Sequence, residues 1–227
     1  MKVNYLKNFK MEQLKNYYPG GALKPISDEY VGELIVKGTK ISLLVSPRDQ
    51  ISYVAGQIEF QSGNTYNEHN ILVILESPHR FEYDASLNPI ALMMGKTGEL
   101  FFEYFTAHLE KSILKIREGN YNLIVCNAVQ YQTSCGLNPI NRKIRDENWK
   151  DIYLNYGGEE DFKKRVFSIK PRYTINLCTG GRSPSGLRSY INNSLDSFGL
   201  KKSKHYTEGN HPASWYLARD SRSQLIV

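Results

Sequence analysis

At 227 residues, 41% of them hydrophobic, the chain can bury one sizeable core and is short for two, so a single domain over 1–227 is expected. A formal charge of +6 suits a polyanionic partner. No segment approaches the roughly 18 consecutive apolar residues of a membrane span, and the opening Met1-Lys2-Val3-Asn4-Tyr5 precedes no apolar run, so the expectation is a cytoplasmic protein with no membrane partner.

Leu6, Phe9, Met11, Leu14, Tyr17 and Tyr18 recur at helical spacing before Pro19-Gly20-Gly21, which predicts a short amphipathic helix over 6–18. Segments 33–36, 41–45 and 51–60 alternate or run apolar, with Lys37-Gly38 and Pro47-Arg48-Asp49 as turns, and predict a small antiparallel, β-rich appendage. From residue 71 the pattern changes. Ile71 to Leu75, Leu123 to Cys126 and Tyr173 to Cys178 are short runs of the buried-strand type, with 203–207 a poorer fourth. Between them Leu100, Phe101, Tyr104, Phe105, Leu109, Ile113 and Ile116 recur at helical spacing, and 160–169 and 186–198 also read as helices. Strands alternating with helices predict a three-layer α/β/α core over 71–227, built on a central four-stranded parallel sheet. Ligands of such sheets sit at the carboxyl ends of the strands.

The segments after each strand therefore bear the chemistry. Glu76-Ser77-Pro78-His79-Arg80 puts a carboxylate at the end of the first strand, and Asn127-Ala128-Val129 puts an amide at the same rim. Taken singly, an ordinary loop acid and a turn-forming Asn are the commoner explanations. Gly209-Asn210-His211-Pro212-Ala213-Ser214-Trp215 joins a histidine to small residues whose backbone amides suit a phosphate, with Trp215 as a candidate wedge. Gly95-Lys96-Thr97-Gly98 invites comparison with a nucleotide-binding loop, but the required earlier glycine is Ile90 and no strand directly precedes it. A helix start holding a DNA phosphate is the alternative. Cys126, Cys135 and Cys178 lack the paired spacing of a disulfide framework or metal site, so no cofactor and no metal are expected.

Read in order, these segments resemble the uracil-DNA glycosylase superfamily, most closely the branch whose first motif is Gly-Glu-Ala-Pro-Gly. Glu76-Ser77-Pro78 is similar to its Glu-Ala-Pro, and Met94-Gly95-Lys96-Thr97-Gly98-Glu99-Leu100-Phe101 to its Val-Gly-Arg-Ser-Gly-Gln-Leu-Leu. Asn127-Ala128-Val129 resembles Asn-Ile-Val, and Ile169-Lys170-Pro171-Arg172 resembles the Ile-Arg-Pro-Lys before an apolar strand and a small-residue turn, here Thr179-Gly180-Gly181. His211-Pro212-Ala213 resembles the closing His-Pro-Ser or His-Pro-Ala. The resemblance spans about residues 70–220 and leaves the first 70 without a counterpart. Tyr131 stands where an iron–sulfur ligand of that branch would fall, His79 replaces its glycine, Leu75 replaces the glycine before the acid, and Met93 stands near its base-stacking aromatic, with Phe81 or Tyr83 as substitutes.

The resemblance implies a DNA glycosylase that flips out a pyrimidine and hydrolyses its N-glycosidic bond, leaving an abasic site. Glu76 would stay ionised, favour the cationic sugar and orient water at C1′; neutral His211 would donate to O2 of the departing base. Asn127 would read the base edge, in one amide orientation for uracil and in the other for cytosine, within a pocket of Ser77, His79, Phe81 and Met93. Pro78, Lys96, Thr97, Gly180, Pro212, Ala213, Ser214 and Trp215 would meet DNA, helped by the eight Lys/Arg against three Asp/Glu from Pro171 onward. The altered pocket residues favour a pyrimidine with a bulky C5 substituent, such as glucosylated 5-hydroxymethylcytosine in phage DNA and hence antiviral defence, over uracil repair. A monomer is expected. The competing readings are a catalytically silent DNA-binding module and a nucleotide-binding phosphohydrolase using Gly95 to Gly98.

Overall fold

Asn70–Leu75 is buried at all six positions, which is why it carries an unbroken apolar run where a strand with one wet face would alternate. The computed structural model describes residues 24–112, 114–133, 142–180, 186–202 and 204–219, of which 142–144 and 216–219 are described by their backbone alone. The predicted helix over 6–18 lies outside the described residues, as do Ile113, Cys135, Gly181, Arg182, Asp220 and Arg222. In chain order the elements are β1 (Glu29–Lys37), β2 (Lys40–Val54), β3 (Gln57–Phe60), β4 (Asn70–Leu75), α1 (Lys96–Glu110), β5 (Gly119–Asn127), α2 (Arg142–Asn155), α3 (Gly158–Ile169), β6 (Tyr173–Asn176), α4 (Leu187–Ser197) and β7 (Tyr206–Glu208). Among the described residues no helix is long and apolar enough to cross a membrane.

The fold is mixed α/β, with one seven-stranded sheet in the order β3-β2-β1-β5-β4-β6-β7. The pairs β5/β4, β4/β6 and β6/β7 are parallel; β1 pairs antiparallel with both β5 and β2, and β2 with β3. This corrects the expectation of a four-stranded parallel sheet with a separate appendage. β1 continues the main sheet because Val31, Leu34 and Val36 are as buried as β5 beside them, and it covers an edge that β5 would otherwise expose. A second correction concerns Pro47-Arg48-Asp49, which does not turn. β2 runs through it, and the register with β1 shifts between Tyr30 and Gly32, so a bulge accommodates the proline that has no N–H for the ladder. The turn comes at Ala55-Gly56, both at positive φ, as a two-residue hairpin requires.

Alternate side chains of β4 enter two cores. Ile71, Val73 and Leu75 pack with Phe101, Phe105 and Leu109 of α1 and with Trp215. Leu72 and Ile74 pack with Trp149, Ile152 and Tyr153 of α2, Phe162 and Val166 of α3, and Ile191 and Leu195 of α4. Helix α2 was not evident from periodicity because its sequence is mostly polar; Trp149 and Tyr153, one turn apart and stacked at 4.5 Å between ring centroids, supply its buried face. Helix α1 begins at Lys96, as the glycine-rich segment predicts, and is shorter than the 100–116 pattern suggests, ending at Glu110. Gly98 is sterically required there: a Cβ would lie 1.7 Å from the Met93 carbonyl oxygen.

Candidate active site

Glu76 immediately follows β4, and its placement is set by the backbone before its side chain matters. Its carbonyl oxygen accepts from Val129 N at 3.0 Å and from Trp149 Nε1 at 2.7 Å, tying the strand end to β5 and α2. The Glu76 side chain is only 9% exposed. Oε1 accepts from Thr179 Oγ1 at 2.5 Å and from Arg145 Nη1 at 3.3 Å; Oε2 accepts from Thr179 N at 2.9 Å and faces His211 Nε2 at 3.9 Å. Burial alone would push this carboxyl up, yet the charge of His211 when protonated, the charge of Arg145 and the two Thr179 bonds outweigh it and hold the group below its ordinary value. The result is a desolvated carboxylate that stays charged.

His211 follows β7, whose last rung is extended by Gly209 N donating to Asn176 O at 2.9 Å. Its Nδ1 accepts from Ala213 N at 3.2 Å, so in the neutral ring the proton is on Nε2, the nitrogen facing Glu76. Ser214 donates from both N and Oγ to the His211 carbonyl, at 2.9 and 2.8 Å. Trp215 is 1% exposed, stacks 6.1 Å from Phe101, meets His108 edge-on at 4.6 Å and donates from Nε1 to Asn210 O at 2.8 Å. It is therefore a core residue anchoring the histidine loop, which corrects its expected role as a wedge.

Asn127 ends β5 and sits in register with Leu75, the residue before Glu76. It is 1% exposed, and among the described residues neither its Oδ1 nor its Nδ2 has a hydrogen-bond partner. Buried amides are nearly always paired, and each orphaned group costs about 1–3 kcal/mol. An adjacent donor and acceptor held without partners at the rim of a sheet match the paired edge of a planar ligand.

The remaining predicted residues divide into two groups. Ser77 Oγ shares a hydrogen bond with Thr133 Oγ1 at 2.6 Å, and Pro78 and Pro212 are buried, so neither proline offers a surface to a phosphate, contrary to expectation. Ala213 is exposed, and Gly180 is half-buried, its lack of a Cβ letting the Arg188 guanidinium come within 3.1 Å of where one would stand. Phe81, Met93, Lys96 and Thr97 form a neighbouring group. Among the described residues no hydrogen bond or ion pair joins them to Glu76, Asn127 or His211, and His79 is the link: its ring lies 5.0 Å from that of Phe81, tilted at 47°, and burial and then the charge of a protonated His211 lower its basicity. Phe81 is exposed against Gly95, whereas Met93 and Tyr83 are buried, so Phe81 alone of the three is exposed to meet a base. Lys96 pairs with Glu99 at the surface. In the basic tail, Lys202 is bound to Glu208, and Arg188 donates to Cys178 O, so the expected charge excess is partly consumed within the fold.

Arg145, Thr179, Asp146 and Trp149 belong to the site and were not singled out from the sequence. Thr179 lay within a recognised small-residue turn; Arg145 lies on the helix that periodicity did not reveal.

The loop framing the site, 79–93, is fastened by a buried acid. Glu82 accepts from His79 N at 3.0 Å and Met93 N at 2.6 Å, and Glu29 pairs with Arg48 at 3.5 Å. Burial raises Glu82 to about 8 and Glu29 to about 7. From pH 4.5 upward the unfolded chain gives up these protons while the folded protein keeps them, so stability declines until both ionise in the fold as well. His79 and His108, lowered by burial, act in the opposite sense only below about 6.5. The unfolding temperature should therefore fall between pH 6.5 and 8, and less so in Glu82→Gln. A wild-type melt that is level or rising across that window contradicts this account.

Compared with protein-family models, with curated proteins and with solved structures, the chain matches none.

Proposed function

We propose that the protein is a DNA glycosylase of the uracil-DNA glycosylase superfamily, hydrolysing the N-glycosidic bond of a flipped-out pyrimidine. The observation that carries this reading is the approach of His211 Nε2 to within 3.9 Å of the buried Glu76 carboxylate, from a loop 135 positions away in the chain. Breaking a C1′–N bond develops positive charge on the sugar and negative charge on the base, and a charged carboxylate beside an N–H donor serves both. Glu76 Oε2 stabilises the cationic sugar and accepts the proton of the attacking water; His211 Nε2–H donates to the pyrimidine O2 as charge collects there. The unpartnered amide of Asn127, one strand over, supplies a donor and an acceptor for the Watson–Crick edge. The parallel run β5-β4-β6-β7, with apolar cores on its two faces, is in keeping with the three-layer α/β/α arrangement of that superfamily.

The base we favour is a pyrimidine with a bulky C5 substituent, such as glucosylated 5-hydroxymethylcytosine, with a role against phage; uracil is the second choice. Support for it lies in His79, Phe81 and Met93, which replace the superfamily's glycine and stacking aromatic. The test is base release from matched single- and double-stranded DNAs carrying uracil, cytosine, 5-hydroxymethylcytosine or its glucosylated form, developed with alkali to cut at abasic sites. Release of the glucosylated base is expected. Release of uracil alone overturns the choice of base, and release of none, with DNA still bound, favours a silent binding module.

A further inference from the structure

We propose that Arg145 is a positioning residue for Glu76, the standing counter-charge that fixes Oε1 and leaves Oε2 to the reacting groups, while Asp146 holds the guanidinium in place. The proposal rests on the glycosylase reading for its consequence but not for its geometry. Arg145 projects from α2 with its side chain 15% exposed and puts Nη1 3.3 Å from Glu76 Oε1, while Nε and Nη2 reach Asp146 Oδ1 at 2.8 and 2.6 Å. Thr179 bonds each carboxylate oxygen once, so the open direction at Oε2 is the one facing His211.

The need for such a residue follows from the histidine's role. A His211 that donates from neutral Nε2 contributes no charge, so a carboxylate this buried must find its compensation elsewhere. Among the described residues, Arg145 is the only permanent cation within ion-pair distance of Glu76. Arg188 acts on Glu76 from farther away and is engaged with Cys178 O. A lone arginine here would also oppose positive charge on the sugar. Asp146 removes that conflict: Asp146, Arg145 and Glu76 together carry a net charge of −1, so the site still favours a cationic transition state while Glu76 stays ionised.

The test follows the Glu76 carboxyl directly, by difference infrared titration of each protein against its own Glu76→Gln counterpart, which needs no substrate. In Arg145→Met the Glu76 midpoint should rise, and Arg145→Lys should restore most of it. Asp146→Asn, which leaves the arginine free to lean on Glu76, should lower it, and this variant keeps the proposal testable should Arg145→Met fail to fold. On a cleaved DNA, Arg145→Met should lose about tenfold in base release at pH 5 relative to the parent, with the gap narrowing toward pH 8. Glu76 midpoints unmoved in folded Arg145→Met and Asp146→Asn overturn the proposal. Midpoints that move as expected in a protein releasing no base leave the positioning role intact and overturn the glycosylase reading instead.

Discussion

Glu76→Gln is expected to reduce base release by about 100-fold or more, because a neutral amide of the same size keeps the shape of the site and loses the charge that faces the sugar. His211→Ala should cost a comparable factor, through loss of the Nε2–H donor to the departing base. The double variant should be little worse than either single one, since both groups act on one stretched bond and neither is useful once the other is gone. Single-turnover rates with DNA in excess of its binding constant, alongside binding curves for each variant, separate chemistry from affinity. Turnover unchanged in both variants removes these residues from the mechanism.

Arg165→Met should destabilise the fold by about 3–5 kcal/mol, the cost of stranding a buried carboxylate. Arg165 lies in α3, 4% exposed, and donates from Nη1 to both oxygens of Asp28 at 3.0 Å, from Nε to Asp161 at 2.8 Å and from Nη2 to the Ala128 carbonyl at 3.0 Å. Asp28 is fully buried, bonded also to Tyr53 and Gln130, and its burial lifts the carboxyl above its ordinary value even against the arginine. Asp28→Asn combined with Arg165→Met should recover a large part of the loss, since neither charge is then left alone. Urea unfolding of the parent and the two variants measures this, and a loss below about 1 kcal/mol in the single variant contradicts it. This network gives residues ahead of β4 a role: it ties the start of β1 to Ala128, the residue next to Asn127, and so braces the amide proposed to read the base.

The parts of this molecule legible in its sequence are those where a strong local pattern coincides with burial. The apolar runs of β4 and β5 needed no tertiary information, and the residues directly after them, Glu76 and Asn127, followed from the geometry of parallel sheets. The 3.9 Å approach of His211 was an expectation from motif order, with nothing local to support it. Pro47 misled because proline punctuates most strands, and only the register shift against β1 allows it inside one. Trp215 misled because its position beside a small-residue loop suggested exposure, whereas Phe101 and His108 supply it with a buried berth. Arg145 was illegible for a different reason: its helix has too few apolar residues to announce itself, and its partner lies 69 positions away.

The placement of β1 between β2 and β5 imposes an order of assembly. Its partner on one side is the next strand in the chain, but on the other it is a segment synthesised roughly 90 residues later, at a ribosomal pace on the order of several seconds to tens of seconds. Until then the nascent β1–β2 hairpin displays an open row of amides and carbonyls, with Val31, Leu34 and Val36 waiting for a core that does not yet exist. Yield on expression should therefore depend on chaperone supply and growth temperature more than the stability of the finished protein alone would suggest.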